Sequence, residues 1–123
     1  MGHVYASVKF ANPRDIEEGR REKMVEERAL VDTGATFTTV PRSLAKKLAL
    51  PIMGKVKVRT ASGEEALDQS YAYTEASGKS TVAPMLVSDK MDKTLLGVFT
   101  LEALGLTVDI ATGKLKETEV LLL

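Results

Sequence analysis

The segment Ala29-Leu30-Val31-Asp32-Thr33-Gly34-Ala35-Thr36 carries the strongest indication of the fold of this chain. Its first three residues are apolar, as in a buried strand, and the Asp and Gly that follow indicate a sharp turn. We therefore expect the Asp32 carboxyl at the end of a buried strand, partly shielded from water. Such a carboxyl is either a turn residue that accepts backbone hydrogen bonds or a catalytic group.

The composition narrows the possible classes of function. The chain has 123 residues, which suit one domain, and it has no cysteine, which excludes disulfides and thiolate metal sites. Because His3 is the single histidine, neither a His-based metal cluster nor a Ser-His-Asp triad is expected, and no metal or cofactor is predicted. Lys+Arg and Asp+Glu both number 17, so nothing electrostatic indicates nucleic acid.

Two features of the hydropathy pattern indicate where in the cell the protein is located. No stretch is long and apolar enough to span a bilayer. The first residues lack the apolar core of a signal peptide. We therefore expect a cytoplasmic protein with no membrane partner.

The remainder of the chain has the pattern of short strands joined by turns. Strands are predicted at residues 4–10, 37–40, 67–74, 81–87, 106–110 and 115–123, and around Val56 and Val58. The charged segment 21–28 is predicted to be a solvated strand that runs into 29–31 and pairs with the first strand. Residues 13–20 and 88–93 are expected to be loops, and 60–64, 77–79 and 111–113 turns. Pro84 suggests an edge or a bulge in its strand.

Helices are predicted at residues 43–50, after Pro41, and at 98–104, where Gly105 provides the C-cap. Many short strands with regular turns indicate an all-β, barrel-like domain with one or two short helices.

Two elements of this chain together resemble the signature of the aspartic proteases, in the form of the retroviral enzymes and their single-domain cellular relatives. The first is Leu30-Val31-Asp32-Thr33-Gly34-Ala35. The second is Leu95-Leu96-Gly97, two apolar residues and a glycine followed by the helix at 98–104. Their order and spacing match that family from about residue 4 to 115. The resemblance implies a retropepsin-like closed β-barrel over residues 1–123, which forms a homodimer and cleaves peptide or protein substrates.

Aspartic proteases use two carboxylates that share one proton. The ionised carboxylate takes a proton from a water, and the protonated one stabilises the oxyanion that forms on the substrate. This chain has one matching motif, so the resemblance implies that the second acid is Asp32 of another copy, related by a two-fold axis. Two alternatives remain: a non-catalytic peptide-binding or dimerisation module that retains the fold, and a monomer that is inactive until a larger assembly forms.

The resemblance also implies roles for the residues around Asp32. Thr33 would hydrogen-bond across the dimer, Gly34 would let the backbone approach the substrate, and Ala35 would support the active site. Their alternative roles are those of ordinary turn residues. Thr36 stands where retroviral enzymes carry an acid that binds the substrate backbone, and Val98 stands where they carry an arginine that supports the dimer.

Three further segments have implied roles. The hairpin tip with Ala61, Ser62 and Gly63 would be a flap that closes over the substrate, although a plain surface hairpin has the same pattern. Leu95 would line a substrate pocket or would simply be a core residue. The apolar tail at 120–123 would pair between subunits or pack on its own core.

Overall fold

The structure is a computed structural model, and it describes residues 3–119. Most residues in regular structure lie in strands: β1 (Val4–Ala11), β2 (Val25–Val31), β3 (Thr38–Pro41), β4 (Gly54–Thr60), β5 (Gly63–Ala76), β6 (Lys79–Ser88), β7 (Leu95–Leu96), β8 (Leu106–Asp109) and β9 (Lys114–Glu117). Three short helices accompany them: α1 (Pro13–Glu17), α2 (Arg42–Lys47) and α3 (Val98–Leu104). Within residues 3–119, no helix is long and apolar enough to cross a membrane. The tail prediction for 120–123 lies outside the described residues.

Seven strands form one sheet in the order β1-β2-β7-β3-β6-β5-β4, and β8 pairs with β9 in a second sheet. The predicted pairing of the first two strands is confirmed, with Val4 opposite Val31 and Phe10 opposite Val25. β1 also pairs with β5, where Lys9 lies opposite Glu75, so the sheet curves back onto itself. Two pairs of strands are parallel, β2 with β7 and β3 with β6.

The core lies on the inner face of this curved sheet. Alternate residues of the strands point inward, as the period of a half-buried strand requires. Leu44 of α2, Leu48 just after it, and Leu101 and Leu104 of α3 also belong to the core. On β6 the inward residues are Ala83, Met85 and Val87. β3 pairs with β6 only from Met85 to Ser88. Pro84 lies just before this segment and pairs with Tyr71 of β5 on its one paired side. The edge position predicted for this proline is therefore confirmed.

The structure corrects the prediction for residues 13–28. Residues 13–17 form α1 instead of a loop, because the Asn12 side chain caps it by accepting a hydrogen bond from the Arg14 N–H at 3.0 Å, and Pro13 suits the first turn. Residues 21–23 form one 3₁₀ turn, and the strand begins at Val25. The predicted helix at 43–50 ends earlier, at Lys47, and Ala49 then adopts a positive φ of 53°.

Candidate active site

The Asp32 loop follows β2 directly and is held by β7. Val31 pairs with Leu96 in parallel register, and the Asp32 N–H donates to the Leu96 carbonyl at 3.0 Å. Within the loop, the Gly34 N–H donates to Asp32 Oδ1 at 3.0 Å and the Ala35 N–H donates to the Asp32 carbonyl at 3.1 Å. The half-buried carboxyl is therefore held in one orientation by its own turn.

The second sequence element closes against this loop. The first N–H groups of α3 lack partners within the helix, and the loop supplies them: Val98 N–H donates to the Ala35 carbonyl at 2.8 Å, and Phe99 N–H to the Thr36 carbonyl at 2.9 Å. Gly97 allows this approach, because a Cβ there would lie 2.5 Å from the Phe37 carbonyl carbon. The two motifs that carried the resemblance thus form one structural unit.

A pair of buried hydroxyls lies beneath this unit, and the sequence analysis missed it. Thr38 Oγ1 accepts a hydrogen bond from the Gly97 N–H at 3.0 Å and lies 2.7 Å from Thr100 Oγ1. Both threonines are fully buried. The available signal was a threonine within each of two apolar segments, which a polar partner across the core would explain.

A cleft of about 810 Å³ opens beside Asp32. The loop contributes Asp32, Gly34, Ala35 and Thr36, and the β4–β5 hairpin contributes both apolar and polar side chains. Other lining residues include Phe37, Met53, Val56, Val58, Leu67, Pro84, Met91 and Leu95. The substrate-binding predictions for Thr36 and Leu95 therefore fall on residues that line the cleft.

Four other predicted residues lie elsewhere. Ala61, Ser62 and Gly63 are exposed at the tip of the hairpin, while the cleft is lined by the hairpin up to Thr60. Thr33 borders a second cavity of about 460 Å³, together with Val98 and Val108 among others. These four residues therefore do not reach the cleft within this single chain.

Among the residues that line the cleft, Asp32 and Glu65 carry carboxyl groups. Glu65 lies on β5, opposite Val58 of β4, and so belongs to the hairpin rather than to the loop. Lys57 and Arg59 of β4 also line the cleft. The cleft thus combines apolar side chains from several elements with three charged side chains on the hairpin.

A curved, mostly β fold with an Asp-Thr-Gly turn beside a long cleft defines a retropepsin-like aspartic protease. A family model described as "gag-polyprotein putative aspartyl protease" matches residues 23–103, and the chain belongs to this family. It is therefore a hydrolase of the aspartic peptidase type.

Solved structures with the same fold include viral and bacterial proteins. EIAV protease complexed with the inhibitor HBY-793 is 18% identical with a TM-score of 0.66, over 89% of this chain and 94% of that one. A retropepsin-like aspartic protease from Rickettsia conorii is 22% identical with a TM-score of 0.60, over 88% of this chain and 77% of that one. Simian foamy virus (mac) protease is 22% identical with a TM-score of 0.54, over 79% of this chain and 90% of that one. Comparison with curated protein sequences gives no match.

Proposed function

We propose that this chain is an aspartic endopeptidase that works as a homodimer, in which two Asp32 carboxylates, one from each copy, activate the water that hydrolyses the peptide bond. The position of Asp32 carries the proposal. It follows β2, in which Ala29 is buried and Leu30 and Val31 are half-buried. It also lines the cleft and has the exposed residues Thr33 and Gly34 beside it. A second copy can therefore bring its own loop to the same place.

The chemistry needs one ionised and one protonated carboxyl close together. The ionised Asp32 takes a proton from the attacking water, while the protonated Asp32 donates a hydrogen bond to the substrate carbonyl oxygen. The Gly34 N–H at Asp32 Oδ1 orients the carboxyl before substrate arrives. This preorganisation lowers the reorganisation needed to reach the transition state.

The dimer is supported by the surface next to the Asp32 loop. Thr33 is exposed and borders the cavity that also includes Val98 and Val108. We infer that the partner loop packs there, with the Thr33 hydroxyl hydrogen-bonding across the two-fold axis.

The β1–β5 pairing supports a closed barrel that forms one domain over residues 1–123. The cytoplasmic location stays a prediction.

In this proposal, the residues that line the cleft bind the substrate. Thr36 and Leu95 line the cleft together with apolar residues of the hairpin, and a bound peptide places its side chains against them. Ala61, Ser62 and Gly63, exposed at the hairpin tip, contact the substrate only when the hairpin closes and excludes water.

The test is the Asp32→Asn variant, assayed with a fluorogenic peptide library that carries apolar central residues. The amide has the shape of the acid but takes no proton from water, so we expect cleavage to fall by at least about 100-fold. The mass in solution and the unfolding transition should match those of the wild type. Binding of a statine-containing peptide, a transition-state mimic, should inhibit the wild type.

Asp109→Asn is the matched control. Asp109 also accepts a backbone N–H two residues along the chain, from Ala111 at 3.0 Å. The same substitution in the same kind of turn should leave cleavage unchanged. Residual activity near wild type in Asp32→Asn would falsify the proposal, and peptide binding without cleavage by the wild type would support the non-catalytic module instead.

A further inference from the structure

Four charged side chains form a network at the base of the β4–β5 hairpin: Arg42, Lys55, Asp68 and Asp89, here called the hairpin-base network. Asp68 Oδ1 accepts a hydrogen bond from Lys55 Nζ at 2.7 Å, and Oδ2 accepts one from Arg42 Nη2 at 2.6 Å. Arg42 Nε also donates to Asp89 Oδ1 at 2.8 Å. The network thereby joins β4, β5, the first residue of α2 and the residue after β6.

Burial makes one pair in this network more important than the others. The Asp68 side chain is 9% exposed, and a carboxylate so buried requires charged partners. Lys55 is 73% exposed, so water and salt screen its ion pair. Arg42 is 28% exposed, so its pair with Asp68 is screened less. Removing Arg42 would leave the carboxylate with one well-screened partner.

The protonation states keep the network charged. Hydrogen bonds from Lys55 and Arg42 hold the pKa of Asp68 below its ordinary value. A hydrogen bond from Arg42 lowers the pKa of Asp89 in the same way, and the two carboxylates raise the pKa of Arg42. The ion pairs therefore persist in neutral and mildly acidic solution.

The network lies directly behind the wall of the cleft. Leu67 and Gln69, the neighbours of Asp68, both line the cleft. The Gln69 carbonyl accepts a hydrogen bond from the Met53 N–H at 2.8 Å, just before β4 begins. On the other side, Pro41 precedes Arg42 and pairs with Ser88, which precedes Asp89. The network therefore ties the hairpin to the β3–β6 pair that follows the Asp32 loop.

We propose that Arg42 and Asp68 are positioning residues, whose ion pair sets how the β4–β5 hairpin lies over the cleft and thereby the affinity for a peptide substrate. The proposal rests on the proposed function for its substrate. Without the pair, the base of the hairpin keeps its backbone pairing with β4 and β6 but loses the side-chain tie to Arg42 of α2, and the closed arrangement is less populated. Apparent affinity falls in proportion to the population of the binding-competent form.

The experiment compares Asp68→Asn and Arg42→Gln with the wild type. KM for a cleaved fluorogenic peptide should rise about 5-fold while kcat stays within about 2-fold, because affinity scales with the competent population. A loss of folded enzyme would instead lower kcat and leave KM unchanged. Should Asp68→Asn fail to fold, Arg42→Gln makes the same comparison from a more exposed position.

Amide hydrogen exchange of the hairpin, residues 55–67, gives a readout that needs no substrate. Exchange should be about 5-fold faster in both variants, because weaker tertiary restraint lowers the free energy of local opening. If neither the wild type nor the variants cleave or bind peptide, the proposed function fails. The amide hydrogen exchange rates alone then decide whether the network holds the hairpin.

Glu75→Gln is the matched control, since Glu75 is also a β5 carboxylate paired with an arginine, Arg21 at 2.8 Å. It lies at the far end of the strand, away from the cleft residues. Asp89→Asn removes a partner that is 72% exposed and should change KM by less than about 2-fold. The proposal is overturned if hairpin exchange in Asp68→Asn and Arg42→Gln equals that of Glu75→Gln, or if exchange accelerates while KM is unchanged.

Discussion

Replacing Thr38 by valine tests whether the buried hydroxyl pair holds the Asp32 loop to α3. Valine keeps the branched shape of threonine and removes the oxygen. That oxygen accepts the Gly97 N–H at 3.0 Å and lies 2.7 Å from Thr100 Oγ1. The substitution therefore leaves a buried backbone donor without a partner at the point where the two motifs meet.

The expected loss of stability follows from these two contacts. An unsatisfied buried N–H at Gly97 costs about 1–3 kcal/mol. The Thr100 hydroxyl also loses its partner, but it can turn back to a carbonyl of the preceding turn, so its loss is nearer to 0.5–1 kcal/mol, on the order of one ordinary hydrogen bond. Together they lower the free energy of unfolding by about 1.5–4 kcal/mol.

The assay is urea unfolding at a fixed protomer concentration, because association shifts apparent stability. Thr74→Val is the control, since Thr74 is also fully buried but its hydroxyl donates to the nearby Ala72 carbonyl at 3.3 Å. It should cost about 1 kcal/mol or less. If Thr38→Val costs no more than Thr74→Val, the hydroxyl pair does not hold the loop.

Three further outcomes are expected. Gly97→Ala should lower the free energy of unfolding by about 1–3 kcal/mol through overpacking and should reduce cleavage, since its Cβ would lie 2.5 Å from the Phe37 carbonyl carbon; an unfolding curve that matches the wild type would contradict the close packing. Specific activity should fall on dilution as a dimer dissociates, measured beside the sedimentation mass; activity strictly proportional to concentration, with a monomer mass, would rule out the shared site. For Asp68, the lowered pKa means that its stabilisation is complete above the ordinary carboxyl pKa of about 3.9 and is lost as the pH falls through the lowered folded-state value. The stability difference between wild type and Asp68→Asn should therefore be largest near neutral pH and shrink below about pH 4; a difference that does not vary with pH would contradict the ionised network.

Sequence patterns predicted many of the strands and turns, because these elements depend on interactions between residues that are close in the chain. The alternation in residues 4–10 and the turn residues at 77–79 gave the right strands and turn, since side-chain period and backbone preference act over a few residues. The loop prediction was wrong for residues 13–17, because the charges there suggested a loop while Asn12 caps a helix. The Asn12 amide also donates to the Ala49 carbonyl at 2.9 Å, a contact 37 residues away.

The candidate site divides in the same way. The turn at Asp32, with its Gly34 N–H at 3.0 Å, was predictable from Asp and Gly alone. Which hairpin residues line the cleft could not be predicted from the sequence. The family resemblance implied that Ala61, Ser62 and Gly63 bind the substrate, and the structure shows that the hairpin residues lining the cleft lie on either side of this tip.

The Asp32 turn and the hairpins could be predicted from the sequence, because each depends on the conformational preferences of neighbouring residues. The contacts of Thr38 with Thr100 and of Arg42 with Asp68, at separations of 62 and 26 residues, could not be predicted in this way. A buried hydroxyl or carboxylate can satisfy its hydrogen bonds with many partners, and the packing of the strands selects which one is within reach.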